Sequence, residues 1–320
     1  MKTTLEKAAE EQPAATSRRR FGLGDRIFSG TALGAGAIIL VALAAVFVFL
    51  LIQGADGFHA DSHYYEPAAH SFIGYAAKLL FGTVLAAVVA MIIAVPFAIG
   101  VALFVSHYAP RRLAVPVAYV IDLLAAVPSV VFGLWGGRTL AHVLQPVQAW
   151  LNDHLGWLPF FSGQVSSTGR TILVAGVVLA IMILPITTAI CREVFQQTPR
   201  LQEEAALALG ATRWEMIRYA VFPHARSGMI AGVMLGLGRA LGETMAVTMV
   251  LSAGGPLVTW QLITSDNPAT IASNIASRFS GEDVGIQSVL LATGLVLFVF
   301  TFFVNFIARW VVARAERKFA

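Results

Sequence analysis

The stretch Thr198-Pro-Arg-Leu-Gln-Glu-Glu-Ala-Ala-Leu-Ala-Leu-Gly210-Ala-Thr212-Arg-Trp-Glu215-Met-Ile-Arg-Tyr-Ala-Val-Phe-Pro223 is a polar island between two long apolar runs, and the rest of the chain is read outward from it. Thr198 before Pro199 predicts a helix start, because a hydroxyl can accept from free first-turn amides and proline suits the first helical position. Gly210 predicts the stop, since glycine enters the left-handed conformation without a Cβ penalty. Thr212 and Glu215 have capping-box spacing, so a second short helix begins at once and is expected to end at Pro223. The island reads as helix, tight turn, helix.

On either side the chain is very apolar: 57% of its 320 residues are hydrophobic and 12% charged, a balance that suits a bilayer and not a water-facing core. A spanning helix needs about 20 mainly apolar residues, because its backbone must satisfy itself where there is no water. Six stretches qualify, at about 28–52, 75–105, 113–143, 171–195, 227–252 and 285–312. The expected fold class is an all-α membrane protein with six transmembrane helices. In-span prolines at Pro96, Pro128 and Pro185 predict kinks. A polar arm of more than twenty residues precedes the first span, whose apolar run is too long for a cleaved signal, so it is read as a retained anchor. With the N-terminus inside, seventeen of the 22 lysines and arginines fall on inner segments, which makes both termini cytoplasmic. The expected organisation is an arm at 1–27, a first helix with an outer loop at 28–74, a five-helix core at 75–314 that carries the loop 198–223, and a tail at 315–320. Trp150, Trp157 and Phe160 in the outer loop 145–169 read as interfacial aromatics, with docking of an outer partner as the alternative.

Other function classes are poorly served. The net charge of +4 is distributed by membrane side and not gathered on one face, so nucleic acid is not an expected partner. Cys191 is the sole cysteine and reads as packing; no Cys/His cluster has metal-site spacing, and the scattered histidines offer no general-base pairing. No glycine-rich stretch ends in Gly-Lys-Ser or Gly-Lys-Thr, so ATP hydrolysis is not expected on this chain. No catalytic residue and no cofactor are expected, and the chain is not read as an enzyme.

The most informative apolar run is Gly236-Leu-Gly-Arg239-Ala-Leu-Gly-Glu243-Thr-Met-Ala-Val-Thr248. Arg239 and Glu243 are four apart and on a helix would share a face. A mid-membrane charge persists only when paired, or when it faces protein or a water-filled path. Gly228, Gly232 and Gly236 precede the pair at helical spacing, and Arg239 is expected to continue that stripe toward the bundle interior. The pair either pins the fifth span to its neighbours or marks a substrate path; guanidinium, always charged and fork-shaped, suits an oxyanion. Glu243 would hold Arg239 when the path is empty. Asp122 lies at comparable depth on the third span with Ser129 seven residues on, so that face either meets the fifth span, giving Arg239 a second carboxylate and the anion a hydroxyl, or serves a helix interface.

Glu204, Ala205, Ala206, Gly210 and Pro223 match the cytoplasmic signature of ABC-importer permeases, with Ala220 and Phe222 departing mildly from it. From about Gly82 to the sixth span, through Gly82-Thr83, Ala94-Val-Pro96, Asp122 to Ser129 with Gly133, Val194 to Pro199 and above all Gly236 to Thr248, the chain resembles the phosphate-importing branch of these permeases, the PstC family. The resemblance implies a type I ABC-importer (MetI-like) fold and a coupling helix that docks on a cytoplasmic ATPase. It also implies a PstA-like second permease subunit as heterodimer, two copies of a PstB-like ATPase and a PstS-like phosphate-binding protein outside. Inorganic phosphate would be carried across a bacterial inner membrane along a path between the two permease subunits, with membrane lipid as the remaining contact. The coupling loop by itself also admits sulfate or molybdate, and Asp122 with Glu243 admits a proton-coupled carrier without an ATPase.

Overall fold

The computed structural model describes residues 23–64, 69–251, 255, 257–280 and 284–316. The expected arm up to residue 22, Ser252 at the end of the fifth expected span, and residues 317–320 of the tail lie outside them. Among the described residues the fold is helical with no strand; Gly255 and Pro268 form one isolated bridge. Two compact units are present, Met1–Phe49 and Leu50–Ala320. In the first, the described residues belong to α1 (Leu23–Gly54), whose large apolar side chains, Ile27 to Phe49, are exposed along its length, as a lipid-facing helix requires.

The second unit is built on α2 (Phe72–Leu103) and α6 (Ile172–Gln196), which pack against each other over most of their length. On α2, Ala86, Ala90, Ala94, Ala98 and Ala102 recur at steps of four and are buried; on α6, Gly176 lies against Val89 and the Ala90 backbone. Small residues let the two backbones approach, and van der Waals packing replaces the hydrophobic drive that lipid does not supply. Both helices run unbroken through Pro96 and Pro185.

Among the described residues, four helical stretches are long and apolar enough to span a membrane: Ile27–His59, Phe72–Tyr108, Ile172–Gln196 and Gly285–Arg314. A fifth arises if α3 (Arg111–Ala125), α4 (Ser129–Trp135) and α5 (Ala141–Leu155) count as one. The third expected span, 113–143, with a kink expected at Pro128, is more than kinked. It bends by 92° between Ala125 and Ser129, because Pro128 has no amide for the ladder and pushes Val127 out of the helical region, and it continues to Leu155. The helix α5 thereby occupies the first part of the expected outer loop, where exposed Trp150 stacks on His154 at 4.6 Å.

The fifth expected span, 227–252, is also broken, into α9 (Phe222–Gly242) and α10 (Met245–Val250). His224, Arg226, Arg239 and five glycines leave α9 long enough to cross but less apolar than the others. After α10 the chain returns through 257–270 to α11 (Ile271–Arg278) and then α12 (Val284–Glu316). This return is stitched to the end of the bundle where α6 begins: buried Asn267 accepts from the Ile172 amide at 2.9 Å and donates to the Arg170 carbonyl at 2.9 Å. At Gly82 any Cβ would strike the Ala269 carbonyl, so glycine is what lets α2 touch this segment.

On the loop side, α7 (Arg200–Ala208) and α8 (Arg213–Met216) form the expected helix-turn-helix. Gly210 has φ +86°; the Ala211 amide reaches the Ala206 carbonyl at 3.2 Å and the Gly210 amide the Leu207 carbonyl at 3.0 Å, a Schellman stop. Two expectations are corrected. Thr198 does not cap α7: Pro199 takes the cap position and the Thr198 hydroxyl is buried without a hydrogen-bond partner among the described residues. The second helix does not end at Pro223, because α8 widens into a π turn over Ile217–Val221, where the Phe222 amide reaches back to the Ile217 carbonyl, and continues into α9 with Pro223 just past that wide turn.

Candidate functional site

The sequence places its sites in two regions, α9 with its break and the coupling loop. Along α9, Gly228 faces Val194, Gly232 faces Ile190 and Cys191, and Gly236 faces Thr187, so the glycine stripe is the seam with α6. Thr187 Oγ1 donates to the Gly232 carbonyl at 3.5 Å across it. Buried Ala240, not Arg239, continues the seam. Arg239 is turned away from it and lines an open groove of about 690 Å³ between α6, α9 and α12, with apolar walls that include Ile186, Ile230 and Met234, and with Asn305 and Arg309 from α12. No carboxylate lines this groove, and neither arginine forms an ion pair with a described residue.

The expected pairing of Arg239 with Glu243 is therefore not made. Four-residue spacing pairs side chains only on a continuous helix. Here α9 ends at Gly242, Glu243 is extended (φ −70°, ψ 127°), and its Oε1 accepts from the Ala246 amide at 3.1 Å, so Glu243 satisfies a first-turn amide of α10 from one residue before the cap position, which Thr244 occupies without a side-chain cap bond. Asp122 is exposed on α3, which packs on α6, and has no hydrogen bond or ion pair with a described residue. The Pro128 bend also removes the face that Asp122 and Ser129 were expected to share. Ser129 opens α4, and it is α4 that meets the fifth span: Gly133 lies so close to the Ala246 backbone of α10 that a Cβ there would be 2.8 Å from Ala246 Cα. Of the four expected path residues, the structure groups none into a single ion-paired cluster; Ser129 and Glu243 lie on the two elements that pack together, while Arg239 faces the groove.

At the coupling loop, Glu204, Ala205 and Gly210 are exposed, with Leu201 and Leu209 beside them, while Ala206 packs inward on the buried cluster of Ala102, Phe195, Met216 and Ile217. Two alanines differ in job: Ala205 leaves room outside, Ala206 seats the helix. Thr212 and Glu215 complete the capping box, Glu215 Oε2 accepting from the Thr212 amide at 2.8 Å. That amide and the Thr212 hydroxyl hold the Glu215 carboxyl below its ordinary pKa.

Two contacts escaped the sequence reading. His107, in the π turn after α2, meets Glu203 at 3.5 Å and ties α7 to the bundle. Arg170 donates to the Met249 and Val250 carbonyls at the end of α10, where a cation is favoured. Both join residues far apart in sequence; the only local signal was a second glutamate beside Glu204.

Residues 94–317 match the family described as binding-protein-dependent transport system inner membrane component. The phosphate transport system permease protein PstC 2 of Mycobacterium tuberculosis is 46% identical over 296 residues, 89% of this chain and 91% of that one. PstC of Mycobacterium leprae is 44% identical (89% and 92%) and PstC of Mesorhizobium japonicum 38% identical (94% and 93%). In fold, the chain is similar to a crystal structure of a bacterial ABC transporter involved in the import of the acidic polysaccharide alginate, with a TM-score of 0.58 at 13% identity, covering 91% of this chain and 96% of that one. A family match over more than half the chain, relatives similar over nearly all of it, and a helical bundle with an outward-facing loop helix lead to one conclusion: the chain belongs to the binding-protein-dependent transport system inner membrane components.

Proposed function

We propose that this chain is the permease subunit that carries inorganic phosphate through a bacterial inner membrane in an ATP-driven importer. One observation carries the reading: in a chain 46% identical to a phosphate permease, Arg239 stands in a membrane helix and lines a groove that holds no carboxylate. A guanidinium kept there without a counter-charge is costly unless an anion or water visits it. The groove is open on one side, and a PstA-like second permease subunit would close it into a path. Ser129 and Glu243 are the polar groups of the outer half of that path, at the α4–α10 contact, and exposed Asp122 faces the partner subunit.

The exposed face of α7, with Glu204 and Ala205, suits docking on a PstB-like ATPase, present in two copies. A PstS-like phosphate-binding protein would deliver from outside, and both termini would be cytoplasmic. A proton-coupled carrier is disfavoured because Glu243 is engaged by the Ala246 amide and Asp122 stands apart from it. The test is phosphate uptake by the complete transporter in proteoliposomes. Uptake is expected to require ATP and the binding protein, to resist competition by sulfate, and to fall at least tenfold in Arg239→Lys, which keeps the charge but loses the planar fork. Full uptake by Arg239→Lys would remove the guanidinium contact, and uptake driven by a pH gradient alone would remove the ATPase.

A further inference from the structure

The groove that holds Arg239 does not end there: its other polar groups are Ser227 of α9 and, from α12, Asn305 and Arg309. Ser227, near the start of α9, and Val312, near the end of α12, line the same groove as Arg239. Ser227 and Arg239 are twelve residues apart on one helix, about 18 Å at 1.5 Å per residue. The direction of α12 follows from its packing: Val289 and Ala292 lie in one cluster with Phe72 and Tyr75 at the start of α2, so Arg309 and Val312 lie toward the coupling-loop side. Asn305 and Arg309 are four apart, so both face the groove, with Asn305 displaced toward Arg239.

We propose that Asn305 and Arg309 form a second phosphate station at the cytoplasmic end of this groove, to which the anion passes from Arg239 before release. The inference rests on the phosphate reading above. Its chemistry is a row of groups that can donate, guanidinium, amide, guanidinium, with no carboxylate in the lining that would repel an oxyanion. Two separated sites suit transport better than one tight one, since an ion must be held well enough to enter and weakly enough to leave. A second arginine on this part of α12, Arg314, lies with its guanidinium over the Trp310 ring at 5.1 Å and does not line the groove, which makes it an internal control for inner-side charge.

The experiment compares Arg309→Gln, Asn305→Leu and Arg314→Gln in the complete reconstituted transporter, in phosphatidylcholine vesicles with and without phosphatidylglycerol. Phosphate moved per ATP hydrolysed is the readout. Arg309→Gln is expected to lower it about tenfold in both kinds of vesicle, Asn305→Leu about threefold, and Arg314→Gln not at all. Equal losses in Arg309→Gln and Arg314→Gln would mean that Arg309 only anchors the helix end, and would overturn the proposal. A loss confined to vesicles with phosphatidylglycerol would assign the site to a lipid headgroup instead. Wild-type ratios in Arg309→Gln, with Arg239→Lys still inactive, would reject the second station and leave the phosphate reading standing; a wild-type complex that moves no phosphate would reject both.

Discussion

Two glutamates in this chain each accept one backbone amide at a helix start, Glu215 from three residues before it and Glu243 from three residues after it, in different media. Glu215 accepts from the Thr212 amide at 2.8 Å where α8 starts, and Glu243 accepts from the Ala246 amide at 3.1 Å where α10 starts. Each stands where a helix restarts soon after another ends, α8 five positions after Ala208 and α10 three positions after Gly242. Glu215 is exposed on the coupling loop, and Glu243 is half-buried in a break within a membrane helix. In water a lost acceptor is replaced by solvent; in the span nothing replaces it, so the amide keeps its full desolvation cost. Each contact satisfies one amide, and its weight is set by the medium.

The strongest way to break this comparison is at the membrane end. Glu243→Ala leaves the Ala246 amide without its acceptor, at a cost of about 1–3 kcal/mol. Hydrogen exchange at Ala246 should speed up by at least tenfold and phosphate uptake should fall with it. Glu243→Gln keeps a carbonyl acceptor and should restore slow exchange at Ala246. If uptake recovers as well, Glu243 acts as an amide acceptor alone; if exchange recovers and uptake does not, its charge also acts on the path.

The next effect in size concerns the coupling loop. In Gly210→Ala a Cβ would meet no atom within 4 Å, so the whole cost lies in the φ of +86°. That cost is about 1–2 kcal/mol for an alanine held in the left-handed region. It should appear as faster proteolysis at the α7–α8 turn and weaker ATPase stimulation, with Gly210→Asn closer to wild type because asparagine tolerates that region. Thr198→Val should go the other way: it replaces a buried hydroxyl that has no partner among the described residues with a methyl of similar shape, and is expected to be neutral or to raise the melting temperature of the assembled complex slightly.

The same contrast governs what the sequence could show. The Gly210 stop and the Thr212–Glu215 box were legible because each is settled by residues within one turn, and the alternation of apolar runs with Lys/Arg-rich flanks was legible because the bilayer imposes it on any chain. The Glu243 break was not. It has no proline and no glycine at positive φ, and Glu243 is not a preferred cap residue, so Leu241-Gly-Glu-Thr244 reads as helix. The bend at Pro128 was expected as a kink and came out as a right-angle turn, since the α4–α10 packing that holds it is nonlocal. Arg239 was placed correctly on a helix yet on the wrong face, because a glycine stripe tells which side packs but not where it ends.

The smallest effect should come from Glu215→Gln, and its pH dependence tests the medium argument directly. Glutamine can still accept from the Thr212 amide, so only the carboxylate's charge is lost, in full solvent. Because that amide and the hydroxyl lower the Glu215 pKa in the folded loop, the carboxylate's contribution is fully present above the ordinary glutamate value of 4.5 and disappears as pH falls through the lowered one. Amide exchange of the α8 turn, corrected for its intrinsic pH dependence, should therefore be slightly faster in Glu215→Gln than in wild type at pH 7. The two should converge as pH drops below 4.5, with the change on the wild-type curve and not on the variant's. A wild-type curve that stays flat through that range would show the cap to be uncharged in its effect. A loss in Glu215→Ala at pH 7 as large as that in Glu243→Ala would show that solvent does not replace the acceptor on the loop, and that the two glutamates differ in position alone.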